Sequence, residues 1–356
     1  MKICIDCRLI DSGGLGTFIR GILRHLISQR EHSFLLIGDS SRLAVYESPN
    51  VSVSHCNLPI FSVKEQVGYP YHDVNRCDAY IAPNYNLPWG IRIPIYTVIH
   101  DVLYMDMPYM SSWVGRMLRK QYLRLSMKLS RHIFTVSHFS RARIVTHFPD
   151  VKSVSVCHNG LDETFTTPIV KPTALPEWIT APYYLYVGNL KPHKGIDTLV
   201  EAFETLPGDY RLIIAGSGDN FRSGINVDTL TRIERNVSMG RIILPGHVDQ
   251  NTLFALYANA TALIQPSVYE GFGIPPLEAM SMGTQAVISD IEVFREIYSG
   301  FPVTYFRAGD PSSLTSTLLA LDRNKHISLS SELKEKYSYR ATAQHILDRI
   351  TNQSAS

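Results

Sequence analysis

The segment from Glu270 to Glu278, EGFGIPPLE, contains the residue types and spacing in this chain that are best suited to chemistry. Its two carboxylates are separated by a Gly-Phe-Gly loop and two prolines. Because proline suits the first turn of a helix, the spacing predicts Glu270 on a loop and Glu278 in the first helical turn. Carboxylates accept hydrogen bonds from sugar hydroxyls, and free amides at a helix start hold phosphate oxygens. The pattern favours a nucleotide-sugar site; a plain strand–loop–helix connection with two solvated glutamates is the alternative.

A glycine-rich loop and a histidine follow two predicted strands of the N-terminal half. Gly14 lies in the loop SGGLGT after the first strand, where glycine lets the backbone lie against a diphosphate. The spacing does not match the dinucleotide fingerprint, which disfavours a two-domain Rossmann oxidoreductase and leaves a tight turn without a ligand as the alternative. His100 ends the apolar strand IPIYTVIH, where an imidazole can hydrogen-bond a sugar hydroxyl or assist at a reacting centre. A purely structural histidine is the alternative there.

Amide and cationic side chains follow a predicted strand of the C-terminal half. The strand YYLYV leads into the loop GNLKPHKG, which contains Asn189, Lys191 and Lys194. Lysines at the end of a strand are candidate partners for phosphate groups. The alternative is that these lysines are solvated loop residues.

Length, charge and cysteine usage exclude several classes of protein. A chain of 356 residues predicts two domains. A net charge of +2 argues against a nucleic-acid binder held by phosphate contacts. No apolar run is long enough to span a bilayer, and the N-terminus lacks the features of a signal peptide. The five scattered cysteines do not complete a metal site, so we expect a reduced, cytoplasmic protein.

Short strands alternate with helices along the whole chain, which predicts an α/β fold built from parallel sheets. A proline-rich segment without periodicity interrupts the pattern and is the predicted linker. We therefore expect two doubly wound, Rossmann-like domains facing each other across a cleft, with ligands outside the carboxyl ends of the strands. The predicted domains are residues 1–165 and 182–356, the linker is 166–181, and the last helix is able to cross back to the first domain.

The segment Ser111–His132 is predicted to form a helix that is both apolar and strongly basic. Its apolar face consists of Val114, Met117, Leu118, Tyr122, Leu125 and Leu129. Its positive charges come from Arg116, Arg119, Lys120, Arg124, Lys128 and Arg131. Such a helix can dock on anionic lipid, which would make the protein peripheral at the inner face of the plasma membrane. Alternatively, its apolar face packs on the first sheet and its basic face is solvated.

Taken together, the motifs resemble those of family 4 glycosyltransferases of the GT-B fold, which are retaining enzymes that use nucleotide sugars. The resemblance extends over nearly the whole chain and rests on the order and spacing of its motifs. They are SGGLGTF, VIHDV, TVSHFSRARI, VCHNGLD, YVGNLKPHKGIDTLVEAF, IIAGSGD, LPGHV, ALIQPSVYEGFGIPPLEAMSMGT and RAGDP.

The resemblance implies a role for each candidate residue. Glu278 would bind the ribose hydroxyls, and Glu270 would face the donor sugar and stabilise positive charge at the anomeric carbon. The amides of Phe272, Gly273 and Ile274 would contact the donor sugar or its phosphate. The backbone at Gly14 would approach the diphosphate, His100 would contact the donor sugar, and Lys194 would neutralise the charge of the leaving diphosphate. Two positions depart from the family pattern. Asn189 replaces an arginine, for which Lys191 is the candidate substitute, and His138 replaces a glutamate and receives no role.

The resemblance also suggests a substrate and a reaction. It favours a mannosyltransferase that uses GDP-mannose, without a metal ion, to build a polysaccharide or lipid-linked glycan such as O-antigen or capsule. A UDP-sugar donor stays open, and a sugar-nucleotide epimerase of the same fold is the alternative function. The absence of a D-x-D motif agrees with metal independence, and front-side attack is favoured over a covalent intermediate on Glu270.

Overall fold

The computed structural model describes residues 1–166, 175–216, 225–323 and 325–354. The chain folds into two units, of which the first comprises Met1–Gly160 and Ser338–Ser356 and the second Leu161–Tyr337. Residues 167–174 of the predicted linker lie outside the described residues, as do residues 217–219 of the IIAGSGD motif.

The first unit contains a parallel sheet of seven strands. In chain order they are β1 (Lys2–Asp6), β2 (Ser33–Gly38), β3 (Val51–His55), β4 (Ala79–Ala82), β5 (Ile95–Val98), β6 (His132–Thr135) and β7 (Val154–Val156). Their spatial order is β3-β2-β1-β4-β5-β6-β7, and Ile3 lies opposite Phe34 on one side and Ala79 on the other. Ile3, Cys4 and Ile5 are fully buried, as expected for parallel strands covered on both faces.

Helices connect these strands. They are α1 (Gly13–Ile27), α2 (Ser40–Leu43), α3 (Val63–Gly68), α4 (Tyr71–Val74), α5 (Leu103–Asp106), α6 (Trp113–Leu129) and α7 (His138–His147). Serine side chains cap α6 and α7: Ser112 accepts a hydrogen bond from the Gly115 amide and Ser137 from the Ser140 amide. These caps fix where α6 and α7 begin.

The second unit also contains a parallel sheet, which has six strands. They are β8 (Tyr183–Val187), β9 (Arg211–Ala215), β10 (Ile242–Gly246), β11 (Ala262–Gln265), β12 (Ala286–Ser289) and β13 (Thr304–Phe306), in the spatial order β10-β9-β8-β11-β12-β13. The helices are α8 (Glu163–Thr166), α9 (Ile196–Glu204), α10 (Val227–Ser238), α11 (Gln250–Asn259), α12 (Pro275–Ser281), α13 (Glu292–Ile297), α14 (Pro311–Leu319) and α15 (Ser331–Glu335). The prediction of two doubly wound, Rossmann-like α/β units is confirmed.

The last helix, α16 (Tyr339–Ser354), belongs to the first unit, although the chain reaches it from the second. It packs against α1, and the rings of Phe18 and Tyr339 meet edge to face at 6.1 Å. Each end of the chain therefore contributes to the first unit.

The strand order reverses beside the first strand of each sheet, between β1 and β4 and between β8 and β11. At such a switch point the loops leave the sheet in opposite directions and open a crevice at the carboxyl ends of the strands. The loops after β8 and β11 contain most of the candidate residues, so the fold places them at one switch point.

Candidate active site

The loop after β11 holds both glutamates of the EGFGIPPLE segment. Glu270 lies in the loop itself, and Glu278 lies in the first turn of α12, as the spacing predicts. The amides of Val268 and Tyr269 both donate to the carbonyl oxygen of His193, which ties this loop to the one that follows β8. The two loops of the switch point are thus one hydrogen-bonded structure.

Gly195 lets the two loops approach so closely. Its φ of +68° is left-handed, and a Cβ atom at this position would lie 2.0 Å from the carbonyl oxygen of Pro266. Any side chain would therefore push the β8 loop away from the β11 loop. This contact explains why the loop GNLKPHKG ends with a glycine.

Lys194 and Glu270 form a bidentate ion pair where the two loops meet. The Lys194 Nζ lies 2.7 Å from Oε1 and 2.8 Å from Oε2 of Glu270. Glu270 Oε1 also accepts hydrogen bonds from Ser267 Oγ at 2.8 Å and Gln265 Nε2 at 3.2 Å. Burial acts to raise the pKa of Glu270, but the Lys194 charge and the hydrogen bonds from Lys194 and Ser267 hold that pKa below its usual value. Glu270 is therefore a fixed, ionised carboxylate.

Glu278 has a different environment, although it lies eight positions further along the chain. Tyr257 Oη donates to its Oε2 at 2.6 Å, and Tyr257 itself is fully buried. Burial raises the pKa of Glu278 to about 7; the hydrogen bond from Tyr257 opposes this shift and the nearby charge of Asp162 adds to it. Glu278 therefore changes its charge near neutral pH.

The predicted anion site at the start of α12 is corrected by the structure. Pro275 and Pro276 occupy its first two positions and have no N–H, while the amides of Leu277 and Glu278 both donate to the Ile274 carbonyl. The residues within the first turn of α12 therefore offer no free amide, because two of them are prolines and the next two amides are used inside the helix.

Amides that remain available lie just before the helix. Those of Gly273 and Ile274 donate to no other described residue, so they can bind a ligand. Gly273 has a φ of +85°, and a Cβ atom there would lie 2.4 Å from the ring of Phe294. Phe272 is buried, with its ring edge-on to that of Tyr337 at 5.3 Å, which anchors the loop.

The loop after β8 holds Asn189 and Lys191. The Asn189 carbonyl accepts a hydrogen bond from Tyr186 Oη at 2.6 Å, and its side-chain oxygen accepts one from the Lys191 amide at 3.4 Å. Asn189 thus stabilises the conformation of the loop through these two hydrogen bonds, which do not require a charged side chain. Lys191 is half-buried beside it and leads into a short 3₁₀ turn, Pro192–Lys194.

His100 lies in the first unit, directly after β5 and Ile99. Its Nε2 lies 3.1 Å from the carbonyl oxygen of Pro83, and its ring packs edge-on against Phe18 at 4.8 Å. Burial lowers the pKa of His100 to about 4, and the hydrogen bond to Pro83 opposes this only in part. The ring is therefore neutral at pH 7, with the proton on Nε2 and with Nδ1 as a hydrogen-bond acceptor.

Gly14 lies exposed in the first turn of α1, also in the first unit. A Cβ atom at this position would have no other heavy atom within 4 Å among the described residues. Packing within the unit therefore does not require a glycine here. A ligand that approaches the backbone closely would account for a glycine at this position.

The structure thus brings eight of the ten candidate residues to the switch point of the second sheet and places His100 and Gly14 in the first unit. Sequence reasoning missed the residues that orient the two glutamates. Tyr257 comes from α11 and carried no signal, whereas Gln265 and Ser267 stand within the recognised segment IQPSVYEGFG but were not singled out. Among the described residues, no three or more His, Cys, Asp or Glu side chains converge so as to hold a metal ion.

Comparison with known proteins gives a family match for one part of the chain. Residues 176–305 match the family described as glycosyl transferases group 1. The O-antigen chain mannosyltransferase RfbU of Salmonella typhimurium is 27% identical over 226 residues, 63% of this chain and 60% of that protein. The O-antigen chain mannosyltransferase B of Escherichia coli is 33% identical over 256 residues, 68% of this chain and 62% of that protein. The chain therefore spans about three fifths of the length of these relatives.

Solved structures extend the similarity to the whole chain at the level of the fold. Sucrose-phosphate synthase from Thermosynechococcus elongatus gives a TM-score of 0.77 at 18% identity and covers 100% of both chains. Anabaena HepE in complex with UDP and glucose gives 0.74 at 19% identity with the same coverage. The chain thus has the GT-B fold, and the resemblance identified in the sequence is confirmed at residues 176–305, which match the glycosyl transferases group 1 family.

Proposed function

We propose that this protein is a retaining glycosyltransferase that transfers mannose from GDP-mannose to a growing polysaccharide or lipid-linked glycan such as O-antigen. The ion pair of Lys194 with Glu270, which shares its loop with the free amides of Gly273 and Ile274, is the observation that carries the proposal. It puts cationic and N–H donors next to a fixed carboxylate at a switch point inside the matched domain. Two mannosyltransferases among the relatives favour mannose as the sugar.

The geometry suits the separation of charge in such a reaction. As the bond from the anomeric carbon to the diphosphate breaks, negative charge grows on the phosphate and positive charge on the sugar. Lys194 has three N–H donors and uses two of them on Glu270, so one is left for a phosphate oxygen. The amides of Gly273 and Ile274 add neutral donors, and the buried Glu270 carboxylate stabilises the positive charge. In the proposed mechanism, Lys194 and the two amides stabilise the negative charge and Glu270 stabilises the positive charge, so no metal ion is needed.

Retention of configuration follows most simply from front-side attack. The acceptor oxygen bonds to the anomeric carbon on the face that the diphosphate leaves, and its proton passes to the departing phosphate oxygen. A covalent intermediate on Glu270 fits less well, because Lys194 binds both carboxylate oxygens and Ser267 and Gln265 bind one of them. The resemblance assigns the sugar hydroxyl contact to His100, and its neutral ring offers Nδ1 as the acceptor. Glu278 is proposed to bind the ribose and Gly14 to approach the diphosphate.

A screen of nucleotide sugars by thermal shift tests the donor. GDP-mannose is expected to raise the melting temperature more than GDP-glucose, UDP-glucose or UDP-galactose, because a ligand that binds only the folded state stabilises it. At a concentration of about 100 times Kd, the stabilisation is about 2.7 kcal/mol. Glu278→Ala is the control variant, which should lose most of the shift.

Other results of this screen would point to the alternatives. A dominant shift with a UDP sugar would assign the donor base differently, as in the UDP complex of HepE. Consumption or isomerisation of the donor in the complete absence of an acceptor would indicate an epimerase. If no nucleotide sugar raises the melting temperature, the proposed function is wrong.

We also propose that α6 docks on an anionic membrane, because several of its apolar side chains are exposed. Within α6 the buried residues are Leu123 and Ser126, whereas the exposed fractions of Val114, Leu118 and Leu129 are 58%, 56% and 43%. The alternative that the whole predicted apolar face packs on the first sheet is therefore wrong for these residues. Trp113, at the start of the helix, is 66% exposed and suits a membrane interface. Among the described residues, no helix is long and apolar enough to cross a bilayer.

Reversing three charges on this helix is expected to abolish binding to anionic vesicles at low salt. Lys120, Arg124 and Lys128 are the positions to change to glutamate; Arg119 is spared because its guanidinium stacks on the Tyr104 ring at 4.1 Å. Each basic residue near an anionic surface contributes about 1 kcal/mol. Co-sedimentation with phosphatidylserine vesicles measures the loss.

The matched control reverses three exposed arginines elsewhere in the first unit, Arg30, Arg42 and Arg76, which should leave sedimentation unchanged. Equal sedimentation of the wild-type protein and the α6 variant would show that α6 is not the docking surface.

A further inference from the structure

The helix that follows β12 supports the loop that carries the free amides of the candidate site. Phe294 and Tyr298, four positions apart in and directly after α13, lie on the same side of this helix. Both side chains are fully buried, and their rings meet edge to face at 5.8 Å. The Phe294 ring packs directly against Gly273, and Tyr298 Oη donates a hydrogen bond to the Gly273 carbonyl oxygen. Two aromatic side chains from one helix therefore fix one residue of the loop.

The hydrogen bond from Tyr298 determines the direction of the next amide in the loop. The Gly273 carbonyl and the Ile274 N–H belong to one planar, trans peptide unit, so the two groups point in opposite directions. Because Tyr298 binds the carbonyl, the Ile274 N–H points away from the Tyr298 hydroxyl. That N–H donates to no other described residue. A buried hydroxyl thus orients a donor that is available to a ligand.

This peptide unit needs a restraint, because it follows a glycine in the left-handed region. Gly273 has a φ of +85°, and glycine permits many orientations of the peptide unit after it. A phenylalanine at position 298 would pack equally well against Phe294 and Phe301, without placing a hydroxyl among aromatic rings. The bond to the loop therefore explains the hydroxyl. Burial raises the pKa of Tyr298 well above its usual value near 10, so the hydroxyl keeps its proton and is the donor.

We propose that Tyr298 is a positioning residue for glycosyl transfer, and that its hydroxyl holds the Ile274 amide towards the terminal phosphate or the sugar of the donor. This inference rests on the proposed glycosyltransferase function and adds to it a residue that acts through the amide. Tyr298 lies outside every motif on which the family resemblance rests. Tyr257 and Ser267 orient the two carboxylates of the site in the same way, by hydrogen bonds from buried hydroxyls.

Tyr298→Phe tests the proposal, because it removes the hydroxyl and keeps the ring. The ligand is the nucleotide sugar that the thermal-shift screen selects, expected to be GDP-mannose. Calorimetry should give a Kd about fivefold weaker than that of the wild type, because one hydrogen bond is lost. The matching nucleoside monophosphate, GMP, lacks both the terminal phosphate and the sugar, so its Kd should stay within about twofold of the wild-type value. A general loss of structure would weaken both ligands equally.

Tyr183→Phe is the matched control. Tyr183 is also buried, and its hydroxyl also donates to a backbone carbonyl of the second unit, that of Leu256, at 2.9 Å. Tyr183 begins β8, whereas the loop that holds Lys194 follows the other end of this strand. The control variant loses the same kind of hydrogen bond and should leave both dissociation constants unchanged.

Ile274→Pro removes the amide N–H itself and suits the φ of −73° at this position. If Tyr298 acts through this amide, adding Tyr298→Phe to Ile274→Pro should weaken donor binding no further, since both changes affect the same contact. Ile274→Ala controls for the lost side chain.

Three results would overturn the inference. They are a Tyr298→Phe variant that binds the nucleotide sugar as tightly as the wild type, an equal weakening of GMP or in the Tyr183→Phe control, and additive free-energy effects of Tyr298→Phe and Ile274→Pro. Failure of the wild-type protein to bind any nucleotide sugar would instead refute the proposed function, and the inference with it.

Discussion

Lys194→Ala is expected to lower kcat for glycosyl transfer by roughly 10²–10³-fold, the usual cost of removing one preorganised donor from a site of growing negative charge. Lys194 Nζ is the cation that the structure places beside Glu270, and its side chain is 19% exposed, so water replaces it poorly. Donor Kd should change less than kcat, because the charge on the phosphate grows as the bond breaks. Single-turnover rates with saturating donor, together with calorimetric titration of the donor, separate the two effects.

The same substitution is expected to destabilise the fold, because Glu270 stays buried without its cation. Breaking a buried ion pair on one side costs about 3–5 kcal/mol. The pKa of Glu270 is held low in the folded protein, so its contribution to stability is present above the unfolded pKa and is lost as pH falls. The double variant Lys194→Ala/Glu270→Gln should recover stability in urea unfolding without recovering transfer.

Two controls accompany this prediction. Lys325→Ala removes an exposed lysine of the second unit that lies outside the candidate site, and it should leave kcat unchanged. EDTA should leave the wild-type rate intact, because cationic and amide donors carry the charge. A kcat for Lys194→Ala within about threefold of the wild type, or loss of activity in EDTA that magnesium restores, would contradict the proposed electrostatics.

Most of the fold could be predicted because its signals are local. The predicted alternation of short strands with helices appears in the structure from β1 (Lys2–Asp6) to β13 (Thr304–Phe306). Runs of buried β-branched residues between glycines and prolines determine these elements without reference to the rest of the chain. The two switch points then place loops that are distant in sequence side by side.

The site was predicted less completely, because the groups that tune it come from other elements. Glu270 and Glu278 were found by their spacing, but the pairing of Lys194 with Glu270 joins residues 76 positions apart. The hydrogen bond from Tyr257 to Glu278 is likewise invisible in a linear pattern. At the start of α12 the missing N–H groups of the two prolines could be read from the sequence, but the use of the next two amides by the Ile274 carbonyl could not.

The affinity for GDP-mannose is expected to fall about tenfold between pH 8 and pH 6 because of Glu278. A carboxyl group with a pKa of about 7 is mostly ionised at pH 8 and about one-tenth ionised at pH 6, and the ionised form accepts the stronger, charge-assisted hydrogen bonds from the ribose hydroxyls. Calorimetry with GDP-mannose measures the change in affinity directly. The diphosphate of GDP-mannose does not titrate in this pH range, whereas the terminal phosphate of free GDP does. Tyr257→Phe should shift the midpoint to higher pH, because the hydrogen bond from Tyr257 lowers the pKa.

Glu278→Gln is the decisive control for this titration. It keeps an acceptor for Tyr257 but cannot ionise, so its affinity for GDP-mannose should be weaker than that of the wild type at pH 8 and independent of pH.

The free energy of unfolding should change with pH in the opposite sense to the affinity. The folded pKa of Glu278 lies above its usual value near 4.5, so its favourable contribution is complete below pH 4.5 and is lost as pH rises through 7. Glu278→Gln should therefore resist urea better than the wild type at pH 8, by up to about 3 kcal/mol. A wild-type affinity that does not vary with pH, or an equal pH dependence in Glu278→Gln, would remove Glu278 from the ribose site.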